Sequence, residues 1–415
     1  MIKKVIKQIS LSYINKAMTF VLLYSFNILI ARKLSVQDYG GYAYIMALAN
    51  IAIAIAYLGQ NMSTQKFVAQ HKGTDRINDF ITSSLILRIV SVGFATLLLA
   101  FLGYMYAFNN QYNIYTKYIV GIVALTVINE YFKSIFIGLH DNLINIAINA
   151  LDYGLKLLLL IIGTITLSRC FNIYIVSLIC SSLLAFYILF NRYPIKKAYI
   201  KISVIKELLF FSLPLLLMTT ISMAVLEIDI IMLKQYTDLT AVANYNVAKK
   251  IIYYIPQISY ALVIGTMPVI LKMTKKQVGK YFLLLITFTI ALAIAISTLI
   301  YFLSDHIILL LYDDKYPNAA NVMKILSFYI LFVLVNVIFS GFFRFAGRVK
   351  ILCINIGICI VITLISNYIL IKQNGAAGAA QATVITSFIY LLCNIVAYWR
   401  FIKSKLADEI FANEN

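Results

Sequence analysis

The residues with chemistry to offer in this chain are ionisable side chains set inside apolar stretches. From Ala224 to Gln257 it reads AVLEIDIIMLKQYTDLTAVANYNVAKKIIYYIPQ, with Glu227 and Asp229 in one apolar run and Lys249 and Lys250 in the next. An ionisable group at bilayer depth costs about 3 kcal/mol or more, so it normally faces a protein interior or a wet cavity. This hairpin therefore reads as lining for a polar chamber, and the chamber points to a transporter rather than an enzyme. Other apolar runs carry Lys16, Arg88, Lys133, Lys156 and Lys324, with the acids Glu130 and Asp152. Glu130 and Lys133 stand three apart and Asp152 and Lys156 four apart, acid first, so each pair can share a helix face. Snorkelling to the headgroups accounts equally well for Lys16, Lys133 and Lys250. It does not account for Asp152 and Glu227, whose side chains are short, or for Lys156 near mid-span.

The elements that must position these residues follow from composition. Hydrophobic residues make up 62% of the 415, charged residues 12%, and mean hydropathy is +0.90. Soluble domains hold about 25% charged residues, so the chain is an all-α polytopic membrane protein. The formal charge of +19 lies mostly in loops between apolar runs, where it sets topology rather than binding nucleic acid. The five cysteines include no C-x-x-C and the three histidines are far apart, so no metal site or cofactor is expected. A span needs about 20 apolar residues. On that rule twelve are expected, near 12–31, 41–63, 81–106, 117–138, 145–167, 172–192, 207–233, 245–271, 281–303, 319–341, 351–372 and 377–399. With the N-terminus inside, the loops on the cytoplasmic side hold most of the Lys and Arg, which places both termini in the cytoplasm.

The chain also repeats itself. ARKLSVQDYGGYAYIMA answers LKQYTDLTAVANYNVAKK, with Gly41-Tyr42 on Asn244-Tyr245 at an offset of 203. FIGLHDNLINIAIN answers FRFAGRVKILCIN at an offset near 207. Two pseudo-symmetric six-helix lobes around a central cavity are expected, 1–195 and 196–415, joined by the basic linker NRYPIKKAYIKISVIKE and related by an axis along the membrane normal. Pro214, Pro256 and Pro268 break the backbone ladder of spans 7 and 8, as bending points of a gate or as static kinks. No P-loop, G-x-S-x-G or H-E-x-x-H occurs. Asp313-Asp314, in an outer loop, is the acidic pair between spans that a membrane glycosyltransferase or polymerase could use.

At ARKLSVQDYGGYAYIMALANI the sequence resembles the polysaccharide and O-antigen (Wzx-type) flippases of the multidrug/oligosaccharidyl-lipid/polysaccharide exporter superfamily. Asp38-Tyr39-Gly40-Gly41-Tyr42 corresponds to the family's small-residue turn entering helix 2. EIDIIMLKQYTDLTAVANYNVAKKI resembles its helix 7–8 hairpin, with Asp229 at the acidic position, and LYDDKYPNAANVMKIL the approach to helix 10. AGRVKILCINIGICIVITLISNYILIKQNGAAGAAQATVITS resembles the helix 11–12 pair, with Asn355, Asn367 and a turn at 375–380. The resemblance implies a flippase of the bacterial inner membrane, passing an undecaprenyl-pyrophosphate-linked oligosaccharide between leaflets by alternating access. Implied partners are that lipid-linked oligosaccharide, membrane lipids, H+ or Na+ as coupling ion, and the polysaccharide polymerase machinery. Since the intramembrane bases outnumber the acids, Arg88, Lys156, Lys249 and Lys324 are expected to hold the pyrophosphate, with Lys16, Lys133 and Lys250 behind them. Glu130, Asp152, Glu227 and Asp229 are expected to partner these bases and carry a coupling ion. The alternatives are a cation-coupled drug antiporter of the same superfamily, which would favour acids over bases, and the glycosyltransferase or polymerase above.

Overall fold

The computed structural model describes residues 2–105, 110–193, 200–270, 273 and 275–403. The described residues form α-helices and one short 3-10 turn. The helices are α1 (Ile2–Lys33), α2 (Val36–Ala56), α3 (Gln60–Gln70), α4 (Arg76–Met105), α5 (Asn110–Gly138), α6 (Asn142–Ile161) and α7 (Leu167–Arg192). They continue with α8 (Ile202–Tyr236), α9 (Leu239–Ile252), α10 (Gln257–Ile270), α11 (Lys275–Tyr312), α12 (Ala319–Phe345) and α13 (Val349–Ile402). Ten of them are long and apolar enough to cross a membrane. The short helices α9 and α10 together make an eleventh span. Gly375, at φ 55° and ψ −127°, breaks α13 into two, which completes the twelve.

Packing divides the chain into two compact units, Met1–Met223 and Ala224–Asn415. The linker boundary expected at 195/196 lies outside the described residues. The division falls instead inside α8. Its first turns bury Val204 and Leu208 against Phe67, Phe80 and Leu87 of the first unit, and Lys201 pairs with Asp79 at 2.7 Å.

Two spans are broken. The α2–α3 break was not foreseen, because 41–63 reads as one apolar run. Leu58 and Gly59 there take φ of 46° and 66°, left-handed backbone that favours glycine. A Cβ on Gly59 would come within 2.4 Å of the Ser212 carbonyl oxygen, two residues before Pro214, so α8 closes tightly on the break. Ser91 Oγ donates to the Ala56 carbonyl at 2.7 Å, satisfying a backbone acceptor beside it. The second break, at Tyr253–Pro256, separates α9 from α10. The small-residue stretch Tyr39–Tyr42, expected as a turn, is the buried first part of α2. Residues 376–380 are likewise helical, with Gly375 alone leaving the helical region.

The internal repeat is structural. Ser35 caps α2 by accepting from the Asp38 amide at 3.1 Å. Asp238, 203 residues on, caps α9 by accepting from the Ala241 amide at 2.7 Å. Tyr42 and Tyr245 are both buried. At the second offset, α5 and α12 end in the same Schellman turn. The Asp141 amide donates to the Phe136 carbonyl at 2.9 Å and the His140 amide to that of Ile137 at 3.0 Å. The Arg348 amide donates to the Phe343 carbonyl at 2.8 Å and the Gly347 amide to that of Arg344 at 3.2 Å. His140, at φ 57°, occupies the left-handed position that Gly347, at φ 69°, fills in the second unit.

A non-glycine residue in that conformation costs roughly 1–2 kcal/mol. His140→Gly should therefore raise the thermal unfolding midpoint of the detergent-purified protein, and Gly347→Val should lower it. Equal midpoints for wild type and both variants would contradict this account of the turns.

Candidate functional site

In the first unit, α3, α4, α5 and α6 bring buried charges together. Arg88 on α4 is fully buried. Its Nη2 donates to Asn61 Oδ1 on α3, and the guanidinium carbon sits 5.6 Å from the ring of Tyr57 at the α2–α3 break. Nε and Nη1 of Arg88 have no acceptor among the described residues. On α5, Lys133 Nζ donates to Glu130 Oε1 at 2.6 Å. On α6, Lys156 Nζ donates to Asp152 Oδ2 at 3.0 Å, with both side chains at most 3% exposed. The Lys156 ammonium also rests on the rings of Tyr174, at 3.8 Å, and Tyr153, at 4.7 Å, which together hold a cation well. Glu130 interacts electrostatically with both Arg88 and Lys156, and Lys133 with Lys156.

The cluster thus holds Arg88, Lys133 and Lys156 against Glu130 and Asp152, an excess of one positive charge. Buried polar groups are nearly always hydrogen-bonded, yet several here have no partner among the described residues: Arg88 Nε and Nη1, Asp152 Oδ1, and both side-chain polar atoms of Gln60 and Asn145. A guanidinium with Nε–H and Nη1–H unsatisfied still has donors to offer an oxyanion such as phosphate. Chemically, the cluster can bind an anion and release it. Sequence reasoning found its charges and missed Tyr57, Asn61, Tyr153 and Tyr174. Asn61 was the findable one, a polar residue just behind a glycine in an apolar run. The tyrosines carry no spacing signal.

The second unit places its charges differently. Lys249 Nζ donates to Asp229 Oδ1 at 2.8 Å and Oδ2 at 3.0 Å, and to the Leu226 carbonyl. Asp229 also accepts from the Tyr245 hydroxyl, which lies 3.0 Å from Thr383 Oγ1 on α13. The Ile230 amide donates to Asp229 Oδ1 at 2.7 Å. Every donor of Lys249 is thus spent inside the protein, and the pair clamps α8, α9 and α13. Lys250 is half-buried and faces Glu227 electrostatically.

The remaining expected site residues lie apart from both clusters. Lys324 is bound to Asp305 at 2.6 Å, and both side chains are solvent-accessible. Lys16 is exposed on α1. The pair Asp313-Asp314 forms an exposed 3-10 turn, Asp313–Lys315, between the buried Tyr312 and Tyr316. Three cations outside the clusters cap helix ends: Lys33 donates to the Leu160 carbonyl at 2.8 Å, Arg169 to that of Ile162 at 2.5 Å, and Lys72 to that of Leu139.

Comparison with known proteins bears on what such a site does. Residues 1–274 match the family model described as polysaccharide biosynthesis protein, and residues 214–369 match the MatE model. An uncharacterized membrane protein of Methanocaldococcus jannaschii is 21% identical over 99% of this chain and 86% of its own. Among solved structures, an inward-facing multidrug resistance MATE family transporter of the MOP superfamily superposes with a TM-score of 0.71 at 14% identity, covering 96% of each chain. The lipid II flippase MurJ in an inward closed conformation superposes with a TM-score of 0.65 at 18% identity, covering 98% of this chain and 90% of its own. The fold is thus the twelve-helix fold of these transporters and flippases.

Removing one member of a buried ion pair costs about 3–5 kcal/mol, because the other charge stays behind. Asp229→Asn and Lys249→Met should each sharply lower the thermal midpoint in detergent, and the Asp229→Leu/Lys249→Met double variant should recover most of the loss. Arg88→Gln, which removes a charge already short of partners, should leave the midpoint nearly unchanged. A large loss with Arg88→Gln and none with Asp229→Asn would invert the structural roles given to these residues.

Proposed function

We propose that this chain, which belongs to the polysaccharide biosynthesis protein family within the multidrug/oligosaccharidyl-lipid/polysaccharide exporter superfamily, flips an undecaprenyl-pyrophosphate-linked oligosaccharide from the cytoplasmic to the outer leaflet. The membrane is the bacterial inner membrane, and both termini are cytoplasmic, in keeping with the Lys and Arg bias of the loops. One observation carries the substrate class. The first unit buries more positive than negative charge, and Arg88 keeps two donors without an acceptor among the described residues. A pyrophosphate can accept from those donors and neutralise the excess.

In this mechanism Arg88 grips a phosphate oxygen pair while Asn61 and Tyr57 fix the plane of its guanidinium. Lys156, held by Asp152 and two tyrosine rings, offers a second positive charge, and Lys133 adds long-range attraction. The bound anion draws on the charges that Glu130 and Asp152 otherwise partner, so arrival of the substrate loosens those pairs. Those carboxylates are then the groups to take up H+ or Na+ as the substrate leaves, which couples the cycle to an ion. The cycle is alternating access, no covalent step is involved, and the polysaccharide polymerase machinery consumes the product. The Asp229–Lys249 clamp holds helices together during the cycle.

A second reading, a cation-coupled drug antiporter, draws support from the multidrug transporter likeness and from Asp152 Oδ1, an acceptor without a partner among the described residues. The charge excess weighs against it, since a cationic drug would meet more bases than acids.

Export of lipid-linked sugar, scored as cell-surface glycan in a strain lacking its own flippase, should fall at least about tenfold with Arg88→Gln and to background with the Arg88→Gln/Lys156→Gln double variant. Arg88→Lys should rescue only partly, because an ammonium lacks the planar fork. Full export by the double variant at wild-type membrane levels would remove the site assignment. Expulsion of ethidium-like cations from vesicles, lost with Asp152→Asn, would favour the antiporter.

A further inference from the structure

We propose that the groove between the two halves of α13 is a seat for an anionic glycerophospholipid of the surrounding bilayer, its headgroup phosphate held by Arg348, Lys350 and Arg400. The groove encloses about 810 Å³ and stands within the second unit. One wall presents Ile354 and Ile358 from the first half of α13, and the other Leu392 and Val396 from the second. All four are exposed, so the groove is apolar along its length and open at its side.

Its charge is confined to one end, and the one polar amide along its wall, Asn355, is engaged by donating to Asn394 Oδ1 at 2.9 Å. Arg348 caps the start of α13 and Arg400 lies in its last turn, and Lys350 completes the set of bases lining the groove. The Arg348 guanidinium is braced 5.9 Å from the Phe401 ring. None of the three bases forms an ion pair among the described residues. The sequence has no Asp or Glu from Lys315 to Ala407, so α13 itself carries no acid to balance them. Three cations closing one end of an apolar trough match one ligand chemistry: a phosphate on an acyl chain. A zwitterionic lipid would set its own cation against the same three bases, whereas basic groups at the membrane surface favour anionic lipids. The reading does not depend on what the Arg88 cluster transports, since the two sites share no residue.

The single tryptophan of the chain, Trp399, adjoins Arg400 and is exposed, which supplies a reporter. The full-length protein is reconstituted in phosphatidylcholine vesicles doped with brominated phosphatidylglycerol, or with brominated phosphatidylcholine as the reference, and Trp399 quenching is followed. Wild type should select the anionic lipid by on the order of a hundredfold, given a several-fold contribution from each of the three bases, and high salt should reduce that preference. The Arg348→Gln/Lys350→Gln/Arg400→Gln variant should quench equally with both lipids while keeping its helical circular dichroism. Ile354→Asn/Val396→Asn should weaken quenching by the anionic lipid with the bases intact. Three outcomes would overturn the proposal: no selectivity in wild type, undiminished selectivity in the triple charge variant, or displacement of phosphatidylglycerol by a polyprenyl phosphate at a far lower mole fraction. Selectivity that emerged only after Asp408→Asn/Glu409→Gln would also overturn it, by making the acidic tail of the chain the occupant.

Discussion

A charge removed from water must be given a partner, and this molecule answers that demand in two ways. At Asp229–Lys249 the answer is complete. The carboxylate accepts from the ammonium, a tyrosine hydroxyl and a backbone amide, and the ammonium spends its remaining donor on a carbonyl. Such a pair is costly to disturb and gains nothing from a ligand. Around Arg88 the answer is partial. One donor meets Asn61, two meet no acceptor among the described residues, and Glu130, the acid that acts on it, is already engaged with Lys133. A half-satisfied polar network is expensive to keep without a use, and the difference between the two clusters is why we propose one as scaffold and the other as site.

Much of the fold was legible in the sequence because the bilayer restricts the choices. Only helices can span it unless a barrel closes, so apolar run length gives the count, and twelve runs become twelve spans. Breaks are harder to read. Pro256 announces the one before α10, whereas the break at Leu58-Gly59 rests on two left-handed residues and on the close approach of α8, a tertiary fact with no local signature. Small residues misled in the other direction. Gly40-Gly41 lie buried inside α2, since glycine in a membrane helix can serve helix packing rather than a turn.

The site was legible by pair and illegible by assembly. Glu130–Lys133 and Asp152–Lys156 follow from helix periodicity alone, and both pairs form as spacing dictates. That Arg88 joins them requires α3, α4, α5 and α6 to be packed first. Sequence reasoning also ranked Lys249 and Lys324 beside Arg88, since each was a base in an apolar run. It expected acids to partner these bases, but could not see that Asp229 and the Leu226 carbonyl spend every donor of Lys249 or that Lys324 reaches Asp305 at an accessible surface. Residue type identifies a buried charge, and only packing tells whether that charge is spent.

The repeat sharpens the same distinction. What the two units share is frame: the caps at Ser35 and Asp238, the Schellman turns after α5 and α12, the buried Tyr42 and Tyr245. Another shared element is an asparagine reaching across to serine. Asn129 Nδ2 donates to Ser181 Oγ at 2.7 Å, and Asn336 Nδ2 donates to the Ser387 carbonyl at 3.0 Å. What the units do not share is charge. At the offset of 207 that aligns α6 with the first half of α13, Asp152 and Lys156 fall on Cys359 and Thr363, and Thr363 Oγ1 donates to the Cys359 carbonyl at 2.8 Å. At the offset of 203, Asp229 and Lys249 fall on Phe26 and Met46. Neither cluster can therefore be a requirement of the helical frame, because the same frame stands in the other unit with neutral residues in those places. Each charge cluster is an addition to that shared frame: the Asp229–Lys249 pair is spent within the second unit, whereas Arg88 keeps donors with no acceptor among the described residues.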